Sequence, residues 1–297
     1  MAAGASDGGA ADRPVLRIGC AMWALRDWVG RYFPPDTPPG RELRAYGTWC
    51  TAAEGNTTFY GLPEPATVER WAEDAPRDFR FLFKLPRTVT HDRRLRSADA
   101  EVSAFLDRLS PLGRRAAPHS IQLPASFGPD DLPVLDRFLA GLSGEYDWAV
   151  EVRHPDFADG GQTERRLNDL LAQRGVDRII IDTRAVFAGP RKTPAEQEAH
   201  ERKPRLPVRP VAIGRHPVVR FIGQTAAEAN PGWWSKWVPK VAQWLDEGRR
   251  PLVFVHTPDN LVAPELARRF HGEVAALRPD LAPLPEPGRP ASQLKLL

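Results

Sequence analysis

Residues able to do chemistry stand inside or directly after short apolar runs. Glu54 closes one such run and is followed by Gly55-Asn56-Thr57-Thr58-Phe59-Tyr60-Gly61-Leu62-Pro63. Asn and Thr side chains fold back onto their own backbone, and Gly and Pro punctuate the chain, so this segment reads as a carboxylate held at a strand end by a stiff polar loop. Lys84, in Phe81-Leu82-Phe83-Lys84-Leu85, and Glu151, in Ala149-Val150-Glu151-Val152, are charges within apolar strands. Such charges are costly unless paired. Equivalent strand-end positions hold Trp23, Gln122, Arg153, His154, Asp182, Arg184, Arg220, His256 and Asn260.

Three carboxylates (Glu54, Glu151, Asp182) and three cations (Lys84, Arg153, Arg220) are therefore expected to converge on one pocket. Neighbouring charge tunes a carboxylate for acid–base work. Guanidinium groups bind carboxylate or phosphate in bidentate fashion. His91, in the loop after the third apolar run, adds a group able to act as acid, base or metal ligand. The candidate catalytic residues are Glu54, Glu151, Asp182 and His91. The candidate ligand-binding residues are Trp23, Asn56, Lys84, Gln122, Arg153, Arg220 and Asn260. Trp23 and Trp28 together are read as an aromatic wall. The competing reading of the charged set is a structural ion-pair network filling the barrel top. A divalent metal held by the carboxylates with His154 and His256 is a further possibility, unsupported by any HxH, HExxH or CxxC spacing.

These residues need a frame that brings strand ends together. Eight apolar runs, at 15–22, 49–54, 79–85, 120–123, 148–153, 178–182, 218–222 and 251–256, read as strands. Most are continuous rather than alternating, as in parallel strands buried on both faces. Helical spacing appears between them at 66–75, 98–109, 133–142, 164–174, 233–245 and 264–277. This alternation predicts a single-domain α/β fold, the (β/α)8 TIM barrel, whose reactive groups lie at the C-terminal strand ends. Trp233, Trp237 and Trp244 share one face of the expected 233–245 helix and should pack on the barrel. An open doubly wound sheet would normally carry a Gly-rich first turn, and Gly19-Cys20-Ala21-Met22-Trp23 has no GxGxxG. The expected organisation is a flexible N-terminus (1–14), the barrel (15–278) and a Pro-rich tail (279–297). A long basic loop, 185–217, follows strand six. It carries Arg191, Lys192, Arg202, Lys203, Arg205, Arg209 and Arg215, with a short helix expected at 195–202.

Of 297 residues, 42% are hydrophobic, enough for a large core; Lys and Arg total 41 against 38 Asp and Glu. A net charge of +3 predicts no general attraction to nucleic acid. Cys20 and Cys50 sit in apolar runs and read as core residues of a reducing compartment. No basic start followed by an apolar stretch marks a leader, and no run of about 18 apolar residues marks a membrane span. The cytoplasm is the expected location, and a small molecule the expected partner.

The ordered motifs resemble the YecE-like family, the domain of unknown function 72. The resemblance runs from 17 to 277. It rests on 19–23, Trp28-Val29-Gly30-Arg31-Tyr32-Phe33-Pro34, 54–63, Trp71…Pro76…Phe79…Phe81…Lys84, Thr90-His91, Glu151-Val152-Arg153-His154 and Val219-Arg220-Phe221. It implies a TIM barrel and no settled activity. Two departures stand out. The family's Arg-Phe-His-Gly is Arg220-Phe221-Ile222-Gly223 here, and its paired Asn after the eighth strand is replaced by His256-Thr257-Pro258-Asp259-Asn260. The leading expectation is an enzyme acting on a small anionic or polyhydroxylated ligand, with the carboxylates as acid/base groups or metal ligands and Lys84 and Arg153 as anion anchors. The alternatives are a divalent-metal phosphodiesterase gripping nucleic acid with the basic loop, and a non-catalytic ligand-binding barrel. A retaining glycosidase fits poorly, because Gln122 and Arg220 stand at the fourth and seventh strand ends.

Overall fold

A computed structural model describes residues 13–287. The strands are β1 Arg17–Cys20, β2 Ala52–Gly55, β3 Arg80–Phe83, β4 His119–Gln122, β5 Trp148–Glu151, β6 Asp177–Asp182, β7 Val218–Ile222 and β8 Leu252–His256. All ladders between them are parallel, in the order β3-β2-β1-β8-β7-β6-β5-β4. The circle is closed between β3 and β4 by a single bridge, Lys84 to Ser120, where the Leu85 N–H donates to the Ser120 carbonyl at 2.9 Å. This is the expected (β/α)8 barrel, and all eight expected runs form strands, with β1, β3, β5 and β8 shorter than expected and β2, β4 and β6 shifted or extended by a residue.

Period-two alternation sorts the side chains. Ala52, Leu82, Ala149, Ile179, Val218, Leu252 and Phe254 form a closed apolar cluster inside the barrel. Their neighbours Ala53, Phe81, Phe83, Val150, Ile180, Val219, Val253 and Val255 join the larger core between strands and helices. Two residues beyond the inner cluster, the inward position is Glu54, Lys84, Glu151, Arg220 or His256 on or just past β2, β3, β5, β7 and β8, while on β6 it is the apolar Ile181. The apolar plug therefore forms the floor beneath a polar layer.

The helices are α1 Glu42–Tyr46, α2 Pro65–Asp74, α3 Asp99–Leu109, α4 Leu132–Ala140, α5 Gln162–Gln173, α6 Arg184–Ala188, α7 Pro194–Arg202, α8 Pro231–Trp234, α9 Trp237–Asp246 and α10 Ala263–Leu277. The single helix expected at 233–245 is two, α8 and α9. Pro239 has no N–H to donate and its ring clashes with the carbonyl four residues back, so it is tolerated only in a first turn. Trp237, Val241 and Trp244 pack inward as expected, but Trp234 rather than Trp233 is the buried residue of α8. The helix expected in the basic loop is α7. Thr193 caps it, accepting from the Glu196 N–H, while the Glu196 carboxylate accepts from the Thr193 N–H. No helix among the described residues is long and apolar enough to cross a membrane.

Of the expected flexible N-terminus, residues 1–12 lie outside the described residues, as do 288–297 of the Pro-rich tail. The described part of the tail buries Leu281, and the Ala282 N–H reaches back to the Pro14 carbonyl at 3.2 Å.

Gly19 permits the closest backbone approach in the barrel. A Cβ there would stand 1.7 Å from the Ala52 carbonyl oxygen, which also accepts the Tyr46 hydroxyl at 2.8 Å. Gly19→Ala must push β1 from β2. We expect a loss of about 3 kcal/mol, or a Tm drop of roughly 6–12 °C. Thermal unfolding of the variant measures it, and an unchanged Tm would refute the packing described.

Candidate functional site

At the C-terminal end of the barrel a cavity of about 920 Å³ opens above the polar layer. Its floor is one connected network centred on Arg220, a β7 residue that is almost fully buried. Arg220 Nε donates to Glu54 Oε1 at 2.6 Å and Nη2 to Glu54 Oε2 at 3.0 Å, a bidentate pair. Its third nitrogen, Nη1, donates to Glu151 Oε2 at 2.5 Å. The other oxygen of Glu151 accepts Arg153 Nε at 2.9 Å. Glu54 accepts further bonds from His256 Nε2 (3.0 Å) and Asn56 Nδ2 (3.2 Å). Gln122 Oε1 accepts both Lys84 Nζ and Arg153 Nη2, each at 2.9 Å.

The loop after Glu54 braces this floor. The Thr58 hydroxyl lies 3.0 Å from the Gly55 carbonyl and 2.7 Å from that of Lys84, tying the ends of β2 and β3. Asn56 Nδ2 also donates to the Ala21 carbonyl at 2.8 Å, which ties in the end of β1. The Asn56 Oδ1 is buried without a hydrogen-bond partner among the described residues.

The electrostatics follow from burial and pairing. Burial opposes ionisation of Glu54, but Arg220 and His256 overcome it and hold the carboxyl well below its usual range. Glu151 is likewise held down, against burial, by Arg220, Arg153 and Lys84. Burial also works against the Arg220 cation, and its two carboxylates more than compensate, raising its pKa. Burial pushes His256 down to about 4 despite the pull of Glu54. The ring is therefore neutral at pH 7 and must donate its Nε2–H to the carboxylate. Lys84 is pushed down to about 7, first by burial and then by Arg220. His91 is lowered by burial, Arg153 and Arg87.

Most of the residues read from sequence meet here. Trp23, Glu54, Asn56, Lys84, His91, Gln122, Arg153, Arg220 and Asn260 line the cavity, with Glu151 fully buried beneath Arg153 and Arg220. Asp182 does not join them. It shares its phase on β6 with Ile180, which faces the helices, and it accepts bonds from Arg184 and from Trp237 Nε1 of α9. The expected convergence of three carboxylates is thus corrected to two, and Arg220 stands between them. Among the described residues no group of three His, Cys, Asp or Glu side chains is placed to hold a metal ion. His154 caps a short turn, accepting from the Asp156 N–H, and packs on Phe157 away from the cavity. Asn260 lines the rim through a strained turn, with φ +57° and its Oδ1 taken by the Thr257 N–H. Trp28, expected beside Trp23, is core: it packs against Phe33 and Tyr46 and donates to the Asn260 carbonyl.

Sequence reasoning did not place Arg70, Trp71, Arg87, Phe59 or Tyr60 at the cavity, where the structure puts them. Arg87 had a readable signal, since Lys84-Leu85-Pro86-Arg87 leaves the end of a strand. The basic loop contributes only part of itself. Arg202 and Lys203, at the end of α7, reach the cavity. Arg209 pairs with Glu164 and Arg205 lies over Phe187, away from it.

The model of the family described as "Protein of unknown function DUF72" matches residues 17–291. The chain belongs to the DUF72 family. Similar family members include the UPF0759 protein YecE of Escherichia coli K12, 40% identical over 271 residues, covering 91% of this chain and 97% of that one. The UPF0759 protein YunF of Bacillus subtilis is 26% identical over 80 residues, 27% of each chain. A DUF72 family protein from Enterococcus faecalis V583 superposes with a TM-score of 0.65 at 17% identity, over 89% of this chain and 98% of that one. One from Thermotoga maritima MSB8 gives 0.64 at 20%, over 89% and 99%. These two likenesses establish the barrel shared across DUF72.

Arg220→Met should strand two buried carboxylates and cost about 3–5 kcal/mol at pH 8. In the variant their pKa values rise above those of the unfolded chain, so the loss shrinks as the pH falls and they take up protons. Urea melts at pH 8 and pH 5 test this, and a penalty independent of pH would contradict it.

Proposed function

We propose that this protein is an enzyme whose barrel-mouth cavity binds a small anionic organic substrate. One observation carries the reading: seven basic side chains line the cavity against three acidic ones. The acidic residues do little to offset the excess. Glu54 is already bound to Arg220, and Glu198 of α7 pairs with Arg202 at 2.8 Å. Arg153 keeps Nη1 without a partner among the described residues, while Nε and Nη2 are fixed to the floor. That is a preorganised donor of the kind that binds carboxylate or phosphate. Lys203 and Arg87 also line the cavity, Arg87 in an exposed pair with Asp92 at 3.3 Å. Trp23 and Trp71 meet edge-to-face on another part of the wall, where they would cover a carbon skeleton or a sugar face.

The two carboxylates serve this reading as counterions. Both are held ionised, so neither has a proton to give near pH 7, and all four of their oxygens accept bonds from the floor. Their role is to orient Arg220 and Arg153, not to act as reagents.

Inorganic phosphate, citrate and sugar phosphates should raise the Tm, and uncharged sugars should not. At a hundred times Kd the gain is about 2.7 kcal/mol, or roughly 5–10 °C. Lys203→Ala and Arg87→Ala, which leave the floor intact, should each weaken anion binding about tenfold or more without lowering the ligand-free Tm. Absence of any shift with every anion would remove the reading.

A further inference from the structure

Among the described residues, Lys84 is the one cation of the floor that bonds no carboxylate directly. It is inside the barrel at the end of β3, only 8% exposed, and its Nζ reaches a single acceptor, Gln122 Oε1 at 2.9 Å. Every carboxylate oxygen of the floor is already occupied by another donor: those of Glu54 by Arg220, His256 and Asn56, those of Glu151 by Arg153 and Arg220. The Gln122 oxygen is itself shared with Arg153. An ammonium has three protons to place and strong hydration to replace, and here it finds one neutral acceptor, two guanidinium neighbours and two carboxylates whose oxygens are already bonded to other donors. A neutral amine needs less. The nitrogen also faces a cavity of about 920 Å³ rather than packed side chains, so an incoming molecule can reach it.

We propose that Lys84 is a nucleophile that forms a Schiff base with a small carbonyl compound carrying a carboxylate or phosphate, a 2-oxo acid or an anionic aldehyde. This deepens the anion-binding reading of the same cavity and rests on it. Arg153, Lys203 and Arg87 would hold the anionic group, leaving the carbonyl carbon to the Nζ lone pair. Attack forms the C–N bond and a carbinolamine. The two amine hydrogens leave with the former carbonyl oxygen as water, giving the imine, which takes one proton from solvent to become the iminium. The iminium carries the charge that the ammonium would have carried, and the nearby Glu54 and Glu151 favour that charge. No oxidant or reductant is consumed.

The groups bearing on Lys84 are Arg220 of β7, Glu151 and Arg153 of and after β5, and Glu54 of β2, with Lys203 just after α7 and His91 on the cavity wall. Burial first, then Arg220 and Arg153, bring the amine down to about 7 against the opposing pull of Glu151 and Glu54. At pH 7 its free-base fraction is then roughly a thousand times that of an ordinary lysine.

The test is reductive trapping of the full-length protein with sodium cyanoborohydride at pH 7, using pyruvate and glyceraldehyde 3-phosphate as probes and phosphate as competitor. The expected result with pyruvate is one adduct, a mass gain equal to the acid less one oxygen atom. Peptide mapping should locate it on Lys84, formed at least about a hundredfold faster than at any surface lysine and slowed by phosphate. Its rate should reach half-maximum near pH 7 instead of climbing towards pH 10. Lys84→Arg should give no adduct and still show the phosphate-induced rise in Tm. Adducts confined to surface lysines, with phosphate still raising the Tm, would overturn the Schiff-base inference alone. No adduct at Lys84 and no anion-induced shift would overturn both proposals.

Discussion

The guanidinium of Arg220, held in the barrel interior between Glu54 and Glu151, is the interaction on which the rest of the site depends. Removing three charges from water carries a large desolvation penalty, which only close geometry and full hydrogen bonding repay. Both conditions hold here. Glu54 meets Arg220 through two bonds and Glu151 through one, and the remaining lone pairs are taken by His256, Asn56 and Arg153. The network spans β2, β5, β7 and β8, strands that do not all pair with one another. It therefore sets distances across the barrel mouth that backbone ladders alone leave free.

That arrangement decides what kind of chemistry the cavity can support. Carboxylates locked into ion pairs are poor acids and poor metal ligands, since either role requires giving up an arginine. The cations are not symmetrically satisfied. After Glu54 and Glu151 have been shared out, Lys84 and Arg153 compete for one amide oxygen, Lys203 lines the cavity beside them, and among the described residues Arg87 meets only the exposed Asp92, at 3.3 Å. Positive charge left unmatched in a half-enclosed space of low dielectric favours an incoming anion and favours loss of a proton from the only primary amine within the floor. Anion binding and amine reactivity thus have the same origin, an excess of cations over available carboxylate oxygens.

Much of the frame was legible along the chain because its signals are local. Continuous apolar runs marked all eight strands, and charges inside them marked Lys84 and Glu151 as unusual before any partner was known. Errors arose where a decision depends on phase or on an interrupted helix. Asp182 stands at the end of a strand like Glu54, but strand-end position does not reveal which face a side chain takes. Counting by two from Ile179 would have placed it outside, towards Trp237. Trp28 follows β1 as Trp23 does, and a compact turn buries it against Phe33 and Tyr46. Pro239 carried the warning that one helix would be two.

By itself the sequence determined the eight strands of the barrel and marked the charged side chains, Lys84 and Glu151 among them, that stand within or just after those strands. These follow from continuous apolar runs and from the cost of burying charge, both properties of short segments. Only the tertiary structure decided who pairs with whom. Glu54 and Arg220 are 166 residues apart and Glu54 and His256 are 202 apart. No local pattern could show that these pairings would use up the carboxylates and leave Lys84 with a single neutral acceptor. Barrel closure brings those distant strand ends within hydrogen-bonding reach, and hydrogen-bond energies at 3 Å, not residue type, then assign each donor its acceptor.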